Sequence, residues 1–166
     1  SRVTSAWQVR MAISAGDTAR AIDELKLRVT ADAGDANSRI QLARLIYQQS
    51  GDAGQAFKYL QEAEAIAPAS RTLTLVRASI LNAEGKGQEA RRTLDEYVEK
   101  QKDFNAVWTR ASYLATNGEF DAAEKDFRQL TTFADNGSVP YELLANFYAY
   151  QRKSAEAMAA VEEGLQ

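Results

Sequence analysis

Apolar residues recur along this chain at the three- and four-residue spacing of amphipathic helices, and the pattern restarts at a nearly fixed interval. A turn leading into a helix reads Gly16-Asp17-Thr18-Ala19-Arg20-Ala21, then Gly51-Asp52-Ala53-Gly54-Gln55-Ala56, Gly85-Lys86-Gly87-Gln88-Glu89-Ala90 and Gly118-Glu119-Phe120-Asp121-Ala122-Ala123. A degenerate fifth version, Arg152-Lys153-Ser154-Ala155-Glu156-Ala157, lacks the glycine. The closing alanines stand 35, 34, 33 and 34 residues apart. Four positions after each comes Leu25, Leu60, Leu94, Phe127 or Val161, stacked on the same helix face. Ahead of each turn a second apolar-periodic stretch, such as Ile40, Leu42, Ala43, Leu45 and Ile46, predicts another helix. Small residues fall inside these first helices at Val9, Ala43, Ala78, Ala111 and Ala145, opposite the alanine of the second helix, so each pair can approach closely. This phase requires one extra residue, Ser50, in the second turn; without it Arg44 would occupy the tight position and strand its charge.

The joints between copies carry stop and start chemistry. Pro68 cannot continue a helix, and Ser70 is placed to cap the next one. Asn136-Gly137 breaks the chain before the fifth copy, where Ser138 is a candidate N-cap and Pro140 suits a first turn. Residues 32–37 form the corresponding loop after the first copy. The reading is one all-α array over 1–166, with copies at about 1–35, 36–70, 71–104, 105–137 and 138–166, and no linker long enough to separate independent domains.

Composition agrees with uninterrupted helix: there are 30 alanines, but only 9 glycines and 2 prolines. No apolar run approaches the roughly 20 residues that span a bilayer, so a soluble chain with no direct membrane insertion is expected. With neither cysteine nor histidine, thiolate and imidazole chemistry is excluded, and no metal or cofactor site is expected. The formal charge is −3 and neither sign forms a long block, which argues against a nucleic-acid footprint. Other scans return repeat features: Gly85-Lys86-Gly87 is a turn without phosphate-loop spacing, residues 32–37 do not match a calcium loop, and the carboxylates Asp121, Glu124 and Asp126 read as a solvated helix face.

A helix-turn-helix unit of this period, with a small residue in the first helix, Gly-Asp at the turn, alanine early in the second helix and proline at its end, resembles the tetratricopeptide repeat. The second copy is the clearest match, with Leu42, Ala43, Tyr47, Gly51-Asp52, Ala56, Leu60, Ala63 and Pro68. The resemblance implies a right-handed αα-solenoid superhelix of about five copies, whose first helices line a concave groove that binds protein partners. Alanine richness and simple Gly-Asp turns resemble bacterial members, with cytoplasm and periplasm both open. The ending Glu162-Glu163-Gly164-Leu165-Gln166 lacks a polar capping element, so a piece of a longer protein is expected, with self-association through exposed repeat ends a further possibility.

Counting from the small first-helix residue, the positions two and three before it and one, four and five after it should face the groove. These include Ala6, Trp7 and Arg10, then Ile40, Gln41, Arg44, Tyr47 and Gln48, then Leu75, Val76, Ser79 and Asn82. Further along they include Trp108, Thr109 and Ser112, and finally Glu142, Leu143, Asn146 and Tyr150. Arg10 and Arg44 suit a carboxylate, Asn82 and Asn146 a peptide backbone, and the aromatics flat anchoring. The tail clamp of chaperone-binding relatives is not expected, because its positions here hold Ala6, Arg10, Gln41, Thr72 and Val76, and only Arg10 keeps the charge. The expected function is therefore a non-enzymatic scaffold that binds a peptide or helix of a partner protein in its groove. A structural spacer or self-assembly module is the alternative, followed by an RNA-binding helical repeat.

Overall fold

The computed structural model describes residues 2–165, and the side chains of all of these except 2–5 and 134. Among the described residues the chain is helical throughout, without strands: α1 (Arg2–Ser14), α2 (Thr18–Ala31), α3 (Ala36–Ser50), α4 (Ala53–Ile66), α5 (Arg71–Ala83), α6 (Gly87–Gln101), α7 (Phe104–Thr116), α8 (Phe120–Leu130), α9 (Val139–Tyr150) and α10 (Ser154–Glu163). A short 3₁₀ turn, Ala134–Asn136, precedes α9. No described helix is long and apolar enough to cross a membrane.

The starts of the helices follow from polar side chains that accept otherwise orphaned backbone N–H groups. Asp17, Asp35, Asp52, Ser70 and Asp103 each accept from the residue three positions on, at 2.8 to 3.3 Å. Ser138 differs from expectation. Its backbone is already helical (φ −75°, ψ −15°), so its hydroxyl makes no cap and instead donates to Glu142 Oε1 at 2.8 Å.

At the turns Gly16, Gly51, Gly85 and Gly118 adopt left-handed φ of +69° to +80°, which side chains disfavour. In the fifth copy Arg152 is held at φ +62°. In four copies the residue after the left-handed one donates to a carbonyl five positions back: Asp17 to Ala12, Lys86 to Leu81, Glu119 to Leu114 and Lys153 to Tyr148. The second copy departs from this closure because it carries the extra residue, which lies in α3 and not in the turn. Ser50 ends a 15-residue helix, Gly51 donates to the Tyr47 carbonyl at 2.8 Å, and Asp52 N–H turns to the Ser50 hydroxyl. The phase that follows places Ala43 in the core and leaves Arg44 exposed. Since left-handed φ costs a side chain about 1 kcal/mol, Arg152→Gly is expected to raise the urea midpoint and not to lower it. No change, or a fall, would mean that glycine's greater freedom in the unfolded chain offsets the relief.

The helices gather into two compact units, Ser1–Thr93 and Leu94–Gln166, divided within α6. In the first, Val9, Ala12, Ala21, Ile22 and Leu25 pack with Leu42, Leu45 and Ile46, uniting α1, α2 and α3. A second cluster there joins Ile40, Ala43, Ala56, Leu60 and Ala63 to Leu73 and Ile80 of α5. Ala43 and Ala56 are both fully buried, as close helix approach demands. In the second unit one cluster draws on α7 to α10, including Ala111, Leu114, Ala123, Phe127, Leu144, Phe147 and Tyr148.

Four further expectations are overturned. Ile40 is core and not groove, because it turns with Ala43 toward the α4–α5 side. Thr109 is fully buried, its hydroxyl satisfied by the Asn105 carbonyl at 2.6 Å. The carboxylates on α8 are not a solvated face: only Asp121 is exposed, Asp126 is buried against Arg110, and Glu124 is bound by Tyr148. In α10 the residue facing the core is Ala160, which leaves Val161 at 48% exposure.

These buried polar contacts make stability depend on pH. Glu124 accepts the Tyr148 hydroxyl at 2.8 Å and pairs with Arg128 and Lys153 at 3.3 and 3.5 Å. The Tyr148 bond chiefly holds the Glu124 carboxyl below its usual range, against the opposing effect of burial. At Asp35 burial pushes upward, but bonds from the Ser38 hydroxyl and N–H and from Arg28 outweigh it, so this carboxyl is lowered too. Burial, then the bond to Glu124, pushes the Tyr148 hydroxyl up to about 12. Lowered carboxyls contribute stability above their unfolded range and lose it as pH falls through their native values. The raised phenol contributes below its ordinary value of 10.0 and loses its contribution as pH rises toward 12. Urea midpoints are expected to be flat from about pH 5 to 9 and to fall on both sides, and Glu124→Gln should shallow the acid limb. An unchanged acid limb would assign it to other carboxylates.

Candidate interaction surface

In the first unit the phase that buries Val9, Ala43 and Ala78 turns the next residue of each helix, Arg10, Arg44 and Ser79, outward. Between α3 and α5 this leaves a depression of about 400 Å³ lined by Arg44, Tyr47, Gln48, Leu75, Val76, Ser79 and Ile80. The lining is apolar at Leu75, Val76 and Ile80 and polar at its borders. Tyr47 reaches across to α5, donating its hydroxyl to Glu84 Oε1 at 2.8 Å, and that bond is the main reason its phenol is raised. Of the expected groove residues in this unit, Arg44 and Tyr47 meet in the depression, Gln41 is half-buried, Asn82 is exposed on α5, and Trp7 and Arg10 are exposed on α1.

In the second unit the expected residues are divided between core and solvent. Trp108 is half-buried and packs against the α7–α10 cluster, so it carries structure whatever else it touches. Ser112 is half-buried, and the exposed Glu142 is occupied by the Ser138 hydroxyl. Asn146 and Tyr150 are exposed, Tyr150 at 77%. The Tyr150 ring lies 6.4 Å from Phe120, which lies 6.5 Å from Phe147. Phe120, Tyr150, Gln151 and Arg152 border a second depression of about 400 Å³.

Two participants escaped the sequence reading. Glu84 ends α5 with nothing in its local pattern to connect it to Tyr47, 37 residues earlier. Phe120 did carry a signal: its counterparts in the other copies are Thr18, Ala53, Gly87 and Ser154, so a large apolar side chain there is out of pattern. The described residues contain no cluster of metal-ligating side chains.

Residues 47–111, from the end of α3 into α7, match the family model of the tetratricopeptide repeat. Over that stretch the chain carries the tetratricopeptide repeat. Tetratricopeptide-repeat folds serve in general as scaffolds for protein–protein interaction, and are generally non-enzymatic. Among solved structures the chain is similar to MamA. One MamA crystal structure aligns at TM-score 0.54 and 16% identity over 98% of this chain and 89% of MamA. MamA 41-end from Desulfovibrio magneticus RS-1 aligns at 0.56 and 11% over 98% and 92%. At such identities the likeness is one of fold. No curated protein matches the sequence.

Proposed function

We propose that this tetratricopeptide-repeat chain, five helix pairs read as a single array, binds a peptide or helix of a partner protein along its first helices, with the depression between α3 and α5 as the anchor. The observation that carries this reading is the depression itself. It combines an apolar floor, a flat aromatic wall at Tyr47 and the exposed guanidinium of Arg44, the mixture that seats one partner side chain and orients its neighbours. Tyr47 is already fixed by Glu84, so less ordering entropy is lost on binding. A photo-crosslinking residue at Ser79, exposed on the border, is expected to capture a partner from native extract that one at Lys58, exposed on α4, does not. Capture at Lys58 alone would move the interaction to the second helices. A self-association module is the second reading, favoured by the exposed Met158, Val161 and Leu165 near the end of the second unit. Sedimentation that depends on concentration in the native chain, and not in Met158→Glu, would support it.

A further inference from the structure

The joints between successive helix pairs share one register. At three of them, the residue four places after the second-helix alanine shares a core cluster with the residue two places after the small residue of the next first helix. The pairs are Leu25 with Leu45, Leu60 with Ile80, and Phe127 with Phe147, whose rings lie 4.7 Å apart. All six residues are buried. These joints bring α2 onto α3, α4 onto α5 and α8 onto α9. The same two positions recur without such a mate in the first and last helices. Val161 of α10 holds the first and is 48% exposed, and Met11 of α1 holds the second and is 49% exposed. Each has exposed apolar neighbours at helical spacing: Met158 and Leu165 for Val161, and Trp7 for Met11.

Charge separates these two helices. The segment of α1 holds Arg2 and Arg10 and no acidic residue, whereas α10 holds Glu156, Glu162 and Glu163 and no basic one. The units follow the same division: residues 1–93 carry 13 basic and 10 acidic side chains, and residues 94–166 carry 7 and 13. We infer that the α10 face of one copy receives the α1 face of a second copy, head to tail, with Met11 seated against Val161 in the register of the internal joints. This rests on the self-association reading above and names the faces that meet. Two α10 faces would bring carboxylates together with no cation in either helix, and two α1 faces would do the same with guanidiniums, so charge selects opposite ends. A head-to-tail contact leaves a free α1 on one member and a free α10 on the other, so growth continues past the dimer. One helix face on another is a small interface, below about 1,200 Å², so association belongs to concentrated solution and Val161 stays uncovered in dilute denaturation samples.

The test is sedimentation velocity of the whole chain over a rising concentration series, beside Met11→Asp, Val161→Asp and an equal mixture of the two. Both positions are exposed, and thermal melting confirms that each variant folds. Each substitution sets an unpaired carboxylate on one face and leaves the other native. The native chain should grow past the sedimentation coefficient of a dimer, and the growth should recede with added salt. Each variant alone should remain a monomer. Mixed, they should form a one-to-one dimer and nothing larger, because one supplies a native α10 and the other a native α1. Three results would overturn the head-to-tail contact and leave self-association standing: native growth that stops at a dimer, association retained by either variant alone, or a mixture that stays monomeric while the native chain associates. A native chain that is monomeric at every concentration would overturn both.

Discussion

Replacing Asp126 with alanine should destabilise the chain by about 3–5 kcal/mol, read as a fall in the urea midpoint at unchanged slope. Asp126 of α8 is buried, and Arg110 of α7 grips it with two hydrogen bonds, Nε to Oδ2 at 2.8 Å and Nη2 to Oδ1 at 2.7 Å. The remaining guanidinium nitrogen, Nη1, reaches Asp95 at 2.8 Å. The bond to Asp126 is the main cause that raises the Arg110 pKa, burial acting in the opposite direction. Removing the carboxylate strands a cation that was desolvated for that partner, and Asp95, half exposed, replaces little of it. Removing both charges is a different experiment. Arg110→Met with Asp126→Leu should lie within about 1 kcal/mol of the native chain, because well-packed apolar residues often match a buried pair. A loss below about 1 kcal/mol in the single variant would show that Arg110 swings into water at little cost.

The same pair marks the limit of what the sequence reveals. The helices, turns and small contact positions were legible because they recur: Ala21, Ala56, Ala90 and Ala123 are all buried, and four turn glycines are all left-handed. A recurring position is a repeated measurement of one environment. The burial of Asp126 is not repeated, since it depends on an arginine 16 residues earlier on another helix, and carboxylates on one helix look alike until a partner is placed. Tyr47 with Glu84 and Tyr148 with Glu124 fail for the same reason. On the candidate surface, Arg44 and Tyr47 line one depression with Leu75, Val76 and Ser79. It misplaces Ile40 and Thr109, because an edge position belongs to core or surface according to the size and chemistry of its neighbours. The position of Ser50 shows a finer case. Its insertion is evident from the spacing, but whether it lengthens the turn or the helix depends on where the left-handed residue falls.

Two residues at one repeat position should respond very unequally to the same substitution. Leu60 and Val161 both stand four places after the repeat alanine. Leu60 is fully buried on α4 among Ile40, Ala43, Ala63 and Leu73, so the cluster has helices on several sides and little freedom to collapse into a void. Leu60→Ala is therefore expected to cost about 3–5 kcal/mol, the range for leucine truncations that leave most of their cavity unfilled. Val161 is 48% exposed on α10, and Val161→Ala should change stability by less than about 0.5 kcal/mol. Alanine's better helix propensity even favours the substitution at an exposed site. Denaturation of the two variants beside the native chain gives the comparison directly. Equal losses would mean that Val161 is covered in solution, and the surface that covers it would then have to come from a second copy of the chain. A small loss at Leu60 would mean that α3 and α5 close over the missing side chain. The depression that they border would change shape with it, so peptide affinity measured on Leu60→Ala separates a relaxed core from an unaltered binding surface.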